Sequence, residues 1–363
     1  MKAGFGKACV NPPLGMPMEG LGQAGGCQSI HDDLFVRVLA LSHGGVEMLV
    51  IGCDLLFFER AVIDRFKGAI GRVADIPAAR ILFNVSHNHS GPRLTRWAYS
   101  GAPAEFYLDR IEAALLAAVT EARSRMEDVT LHAGVTRTDL PVSRRKLDAA
   151  DRAQWAPAPG ATVCDALPVC VLRANDGRIV SLLFSVSCHP SIYYETIITA
   201  EYPGAAAAAL NSHFRTEGSL FLQGAGGDTK PRPIADPKGY WRRGSLEDVA
   251  AAGHEVAAAV IACVEKGLRP VEPDLRAFIT EMRWPLQPPP SRAELEEIAD
   301  SDPNVTPENK PGAPSAQRRL WARDMLERLS RDDRLPDHAL VLLHAMQLGR
   351  GGRLGGLEGE AVG

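Results

Sequence analysis

Residues Ile81-Leu82-Phe83-Asn84-Val85-Ser86-His87-Asn88-His89-Ser90-Gly91-Pro92 set the terms of the reading. An apolar, β-rich run of the length of a buried strand stops abruptly in a polar segment closed by Gly-Pro. Side chains alternate with period two along an extended chain, so His87 and His89 are expected on one side of an extended segment. Two further runs behave the same way. Ile179 to Ser187 reads as a strand that ends in Cys188-His189-Pro190. Leu220 to Gln223 runs into Gly224-Ala225-Gly226-Gly227-Asp228. In open α/β sheets ligands gather at the carboxyl ends of strands, so this convergence of polar strand ends is the main functional signal.

Working outward, Phe35 to Leu41 and Val46 to Phe58 read as strands joined at Gly44-Gly45. Leu108, Ile111, Leu115, Ala118 and Val119 recur at helical spacing and predict an amphipathic helix over 105–124. Val129 to Val135 and Val169 to Arg173 are further strands, the second turning at Asn175-Asp176-Gly177. An Ala-rich helix is expected over 204–214, and Ser245 with Asp248 forms a capping box for a helix to about residue 266. Strands alternating with helices give an α/β fold. From about 285 to 316 the chain is rich in Pro, Asn and Gly around a helix capped by Ser291 and Glu294, and reads as a loop or insertion within one domain spanning 1–363. A helix over 316–331 and a strand at Ala339 to Leu348 follow.

Composition excludes several classes. The chain has 363 residues, 45% hydrophobic and 23% charged, which is ordinary for a globular protein and excludes disorder. A net charge of −4 gives no reason to expect nucleic-acid binding. The 34 glycines and 26 prolines point to many loops and turns. Seven cysteines, an odd number with no CxxC, fit reduced thiols in a cytoplasmic protein better than a disulfide framework. The start lacks the apolar core of a signal peptide, and no stretch is apolar for the ~18 residues of a membrane span.

The histidines admit two readings. Neutral imidazoles suit zinc (Zn2+), which in catalytic sites takes about three protein ligands. Hydrogen-bonded strand-end histidines are the alternative. Three of the ten histidines standing at two such strand ends favour the metal. His31, His43, His132, His254 and His344 lack comparable context and read as structural or surface residues. The glycine-rich 224–227 is either a tight turn or a place where backbone amides approach a ligand. Ser143-Arg144-Arg145-Lys146 reads as a basic run after a strand, either a solvated loop or an arginine clamp for a carboxylate or oxyanion.

Taken together these segments resemble the neutral/alkaline non-lysosomal ceramidase family over nearly the whole chain. Ser86 to Pro92 is similar to its His-x-His-Ser-Gly-Pro motif and His189-Pro190 to its His-Pro motif. Gly4 to Ala8, His31 to Leu34, Ala200 to Gly204, Phe221 to Arg232 and Gly359-Glu360 resemble further family segments. The resemblance implies a mixed β-sheet core flanked by helices, and a zinc-dependent hydrolase that cleaves a C–N amide bond with a zinc-activated water, as in sphingolipid metabolism. It implies His87, His189 and Glu360 as zinc ligands, His89 beside them to stabilise the tetrahedral intermediate, and Arg144 at the substrate or oxyanion. Asp228, Thr229 and Lys230 fall in the family's Gly-Asp-x-x-Pro loop, with Lys230 where ceramidases carry a catalytic serine. A tyrosine ligand expected beyond Glu360 is missing, so the domain reads as incomplete at its C-terminus.

The leading expectation is therefore a cytoplasmic, zinc-dependent amidohydrolase acting on a small-molecule amide. If Lys230, Arg232 and Arg144 converge on the pocket, that substrate carries a carboxylate or phosphate. The alternatives are a catalytically impaired fragment that serves as a metal- or ligand-binding scaffold, and a metal-dependent phosphoesterase.

Overall fold

The computed structural model describes residues 1–20, 26–94, 105–305, 314–332 and 334–357. Contacts divide the chain into a large unit, residues 1–94, 103–279 and 344–363, and a small one, residues 95–102 and 280–343.

The large unit is built on a nine-stranded mixed sheet. Eight of its strands run in the order Ser219–Gln223, Ile179–Val186, Ala166–Ala174, Glu127–Arg137, Lys2–Cys9, Phe35–His43, Val46–Cys53, Ile81–Val85, and Arg269–Val271 pairs with Glu127–Arg137. Most neighbours are antiparallel. The pair at each end is parallel: Ile179–Val186 with Ser219–Gln223, and Val46–Cys53 with Ile81–Val85. A parallel pair needs a crossover, and a helix supplies each one, Arg60–Ala74 on one side and Glu201–Phe214 on the other.

Strand alternation assigns three cores. In Phe35–His43, Val36, Val38 and Ala40 pack with Ile111, Leu115 and Phe66 of the helices Glu105–Ser124 and Arg60–Ala74. Their neighbours Leu39 and Leu41 face the opposite way and join Phe5, Leu131, Leu183 and Leu220. In the other half of the sheet, Leu182, Phe184 and Val186 pack under Glu201–Phe214 and Leu246–Lys266 through Leu210, Val256 and Val260. The sheet is thus folded on itself, with one core between its halves and a helical layer outside each. Both faces are buried, which explains why these strands read as continuous apolar runs.

The helix Glu105–Ser124 lies directly on the first strand because that strand offers no side chain at two points. A Cβ on Gly4 would stand 2.0 Å from the Ala122 carbonyl oxygen, and one on Gly6 would stand 2.3 Å from that of Ala118. The two end strands of the sheet also meet. The Asn84 side chain accepts a hydrogen bond from the Gln223 backbone N–H at 2.8 Å and donates one to the Gln223 carbonyl at 3.3 Å. An amide side chain does there what a neighbouring strand would do.

The small unit has its own core of Leu295, Ala299, Ala322 and Leu335, formed by helices Arg292–Ala299 and Ala316–Asp332. The stretch expected as a proline-rich insertion at about 285–316 falls in this unit, with the Ser291/Glu294 capping box in place. The strands not foreseen include Pro141–Leu147, Ala153–Ala158 and Pro273–Pro285. No helix among the described residues is long and apolar enough to cross a membrane.

Candidate metal centre

The site forms where the two ends of the sheet meet. Ile81–Val85 delivers His87 and His89, and Ile179–Val186 delivers His189. The segment carrying the first two is not extended, contrary to the period-two reading, because His87 has a left-handed backbone with φ +61°. Residues with a short polar side chain, and His, enter that region more readily than most. What holds the turn is Asn88, fully buried between the two histidines. Its amide donates to the carbonyls of Asp54 and Thr199, and its oxygen accepts from the Ser90 N–H. The His89 backbone N–H donates to Pro190 O at 3.1 Å, which ties the two histidine loops together.

His189 is 3% exposed. Its Nδ1 lies 2.8 Å from the Gly226 carbonyl oxygen and 3.0 Å from that of Thr229. Carbonyls only accept, so Nδ1 carries the proton and Nε2 keeps its lone pair. The glycine-rich turn is therefore a positioning device. A Cβ on Gly226 would come within 2.8 Å of the Cys188 backbone nitrogen, so the carbonyl reaches His189 only because residue 226 has no side chain. Arg144 Nη1 points at the other face of this imidazole, 3.4 Å from Nε2.

The three rings close on one another. Centroids are 4.9 Å apart for His87 and His89, 5.0 Å for His87 and His189, and 5.4 Å for His89 and His189. Their nitrogens all lie within 4.8 Å of one another. Burial, followed by the neighbouring His87, His189 and Lys230, holds His89 well below the ordinary histidine pKa, against a backbone hydrogen bond at Gly20. It is a neutral imidazole at pH 7, the form that ligates a metal. Three imidazoles from two loops, His89 neutral and His189 with its tautomer fixed by carbonyls, suit a zinc-type ion held by nitrogen ligands. A ring nitrogen of His89 falls within the same 4.8 Å cluster as those of the other two, so it is a candidate ligand beside them. Glu360, expected as the third ligand, lies outside the described residues.

The remaining expected residues divide. Ser143 to Lys146 lies inside the strand Pro141–Leu147 rather than in a loop after one. This strand pairs with Ala153–Ala158 across a register shift between Trp155 and Ala158, and such irregularities re-aim side chains. Arg144 is turned to the site and stacks on the Trp155 ring at 4.6 Å, while Arg145 and Lys146 are exposed. Its backbone N–H donates to Asp228 O at 2.8 Å. The Thr229 hydroxyl lies 2.9 Å from Ser187 O and 3.1 Å from Gly226 O, so it braces the turn while its own carbonyl holds His189. Lys230 is 5% exposed, between the rings of Trp155 at 5.7 Å and Trp241 at 5.6 Å. Arg232 does not converge on the site. It pairs with Glu255 and Asp139 O, because the strand Thr229–Pro231 ends before it.

Glu201 was not singled out as a site residue. It is fully buried at the start of the helix Glu201–Phe214 and accepts from the backbone N–H groups of Tyr193 and Tyr202. That fixes the loop following His189. Burial, set against these hydrogen bonds, pushes its carboxyl up to about 8. Trp155 and Trp241 were also missed, because an isolated tryptophan in a loop-rich stretch carries no periodic signal.

The chain matches no protein-family model and no curated protein. Solved structures do match. A ceramidase complexed with C2 superimposes with a TM-score of 0.71 at 13% identity, covering 96% of this chain and 62% of that one. The neutral ceramidase from Pseudomonas aeruginosa gives 0.69 at 13% identity, covering 96% and 61%. The chain thus spans under two thirds of the length of the ceramidases it matches. Its fold, a large mixed sheet between helical layers with a histidine cluster at the sheet's meeting ends, is ceramidase-like.

Proposed function

We propose that this chain is a zinc-dependent hydrolase that cleaves a C–N amide bond of a small-molecule substrate. The observation that carries the reading is the meeting of His87, His89 and His189, from loops far apart in sequence, with Arg144 Nη1 3.4 Å from His189 Nε2. The three imidazoles, with Glu360 as a further candidate, would hold the ion. Bound there, zinc supplies a Lewis acid for the amide carbonyl and acidifies a water. The protein's own residues do the rest. Gly226 and Thr229 carbonyls keep the His189 proton on Nδ1. Arg144 offers N–H donors to the oxygen that becomes negative as the carbonyl is attacked, and Trp155 stacked on its guanidinium restricts its orientation. The likeness to ceramidase structures supports the reaction class, while Lys230 sets this site apart from ceramide hydrolysis. The odd number of cysteines, with no CxxC, supports placing this activity in a reducing, cytoplasmic setting.

Elemental analysis of purified protein tests the proposal, with His87→Ala, His189→Ala and Glu360→Ala beside it. About one zinc per chain, lost in both histidine variants, together with zinc-dependent hydrolysis of an N-acyl amide, is the expected result. Protein that stays metal-free after dialysis against zinc, or zinc retained in His189→Ala, would overturn it. The Glu360→Ala result decides whether that carboxylate belongs to the ligand set.

A further inference from the structure

We propose that Lys230, with Arg144 and the indoles of Trp155 and Trp241, forms a carboxylate-binding subsite beside the histidine cluster, so that the substrate is an amide bearing a carboxylate a few bonds from the reacting carbonyl. The proposal rests on the hydrolase reading for the fate of the bound molecule, but not for its binding.

Three observations point to it. The first is placement. Lys230 and Arg144 both lie over the ring of Trp155, at 5.7 Å and 4.6 Å, and Arg144 reaches the imidazole of His189. Their strands are paired, with Lys230 opposite Val142, so the two cations belong to one rigid sheet. An anion held by them is necessarily close to the cluster. The second is charge. Among the described residues no carboxylate stands within ion-pair distance of Lys230 Nζ, although the residue is 5% exposed. A buried ammonium without a carboxylate is costly unless something else answers it. The nearby Glu201 does so poorly, since burial keeps its proton on to about pH 8. Burial and the neighbouring Arg144 lower Lys230 to about 8, which leaves it mostly protonated at neutral pH. The imidazoles add no negative charge, and a divalent ion bound there would add positive charge beside Lys230. The third is the aromatic frame. Trp155 is 61% exposed and forms a wall open to solvent. The Trp241 indole N–H is buried and has no acceptor among the described residues.

An ammonium and a guanidinium against indole faces recognise a planar anion. Two aliphatic chains and a neutral headgroup would leave the Lys230 ammonium without an anion. A site built to pair a charge rejects the analogue that lacks it more strongly than an apolar pocket rejects an extra methylene. Arg232, by contrast, is engaged with Glu255 and contributes nothing here.

The test is equilibrium binding to metal-free protein, read by tryptophan fluorescence and calorimetry, of N-hexanoylglycine against N-hexanoylethanolamine. These differ in a carboxylate against a hydroxymethyl group. The acid should bind at least about tenfold more tightly to the wild type, a preference of roughly 1.4 kcal/mol. Lys230→Met should bring the preference close to unity, and Lys230→Arg, which keeps the charge, should retain most of it. Equal affinities for the two compounds, no measurable binding of the acid, or a preference unchanged in Lys230→Met would overturn the proposal. Hydrolysis by the zinc-loaded protein is followed separately. A binding preference with no turnover of either compound would leave the subsite standing and remove the hydrolase reading. Turnover with no preference would do the reverse.

Discussion

Glu201 is a carboxyl placed where it keeps its proton. Folded, it releases the proton near pH 8, and unfolded near the ordinary value of 4.5. Between those values the unfolded chain binds fewer protons, so the free energy of unfolding falls as pH rises. The contribution is complete below 4.5 and lost as pH climbs through 8. The steepest slope from this group is about 1.4 kcal/mol per pH unit. Glu201→Gln, neutral at every pH, should flatten the fall in urea-unfolding stability between pH 5 and 8. A variant with the same slope as the wild type would show that Glu201 ionises freely in the folded protein. The neighbouring Lys230 is shifted the other way, from 10.5 to about 8, and acts only above that window.

The strand Lys2–Cys9 and the helix Glu105–Ser124 show what one missing side chain does for a whole element. Gly6→Ala would place a methyl group 2.3 Å from the Ala118 carbonyl oxygen and 2.7 Å from the Ala122 nitrogen. Both are backbone atoms, so the helix must lift. Overpacking of this kind destabilises by roughly 1–3 kcal/mol, and the thermal midpoint should fall by several degrees, as a melting curve by circular dichroism would reveal. An unchanged midpoint would mean that the helix has slack against the strand.

At this same scale the sequence was readable where a pattern repeats. Helix 105–124, the capping boxes at Ser245 and Ser291, and the strand Ile81–Val85 all lie where periodicity and caps put them. The ends of apolar strands also marked His87, His89 and His189, which do come together, and the turn at Asp228, whose neighbour Thr229 holds His189. What stayed hidden depends on partners distant in sequence. Pro141–Leu147 carries too many charges to read as a strand, and is one because Thr229–Pro231 and Ala153–Ala158 flank it. The left-handed backbone of His87 follows from hydrogen bonds that Asn88 makes to Asp54 and Thr199. No local pattern announces either.

Over the large unit, the meeting of the two sheet ends ties the site to the fold. Asn84 bridges to Gln223, and the histidines project just beyond those strands. Asn84→Ala removes both hydrogen bonds and leaves the Gln223 backbone groups to find others, a loss of about 1–3 kcal/mol. It touches none of the imidazoles, yet zinc should bind less tightly, because His87 and His189 sit on opposite sides of the seam. Competition with a chromogenic chelator measures this. A variant that loses stability but keeps wild-type zinc affinity would show that the histidine loops hold their own geometry.

The seam also imposes an order in time. His89 and His189 are separated by a hundred residues of chain. At synthesis rates of about 5–20 residues per second, the first two imidazoles leave the ribosome roughly 5–20 s before the third. For that interval a nascent chain carries an incomplete set of donors, and no folding of the early strands supplies the rest. On the proposed reading, metal capture therefore waits for the second half of the sheet, and becomes a late step in the maturation of the protein.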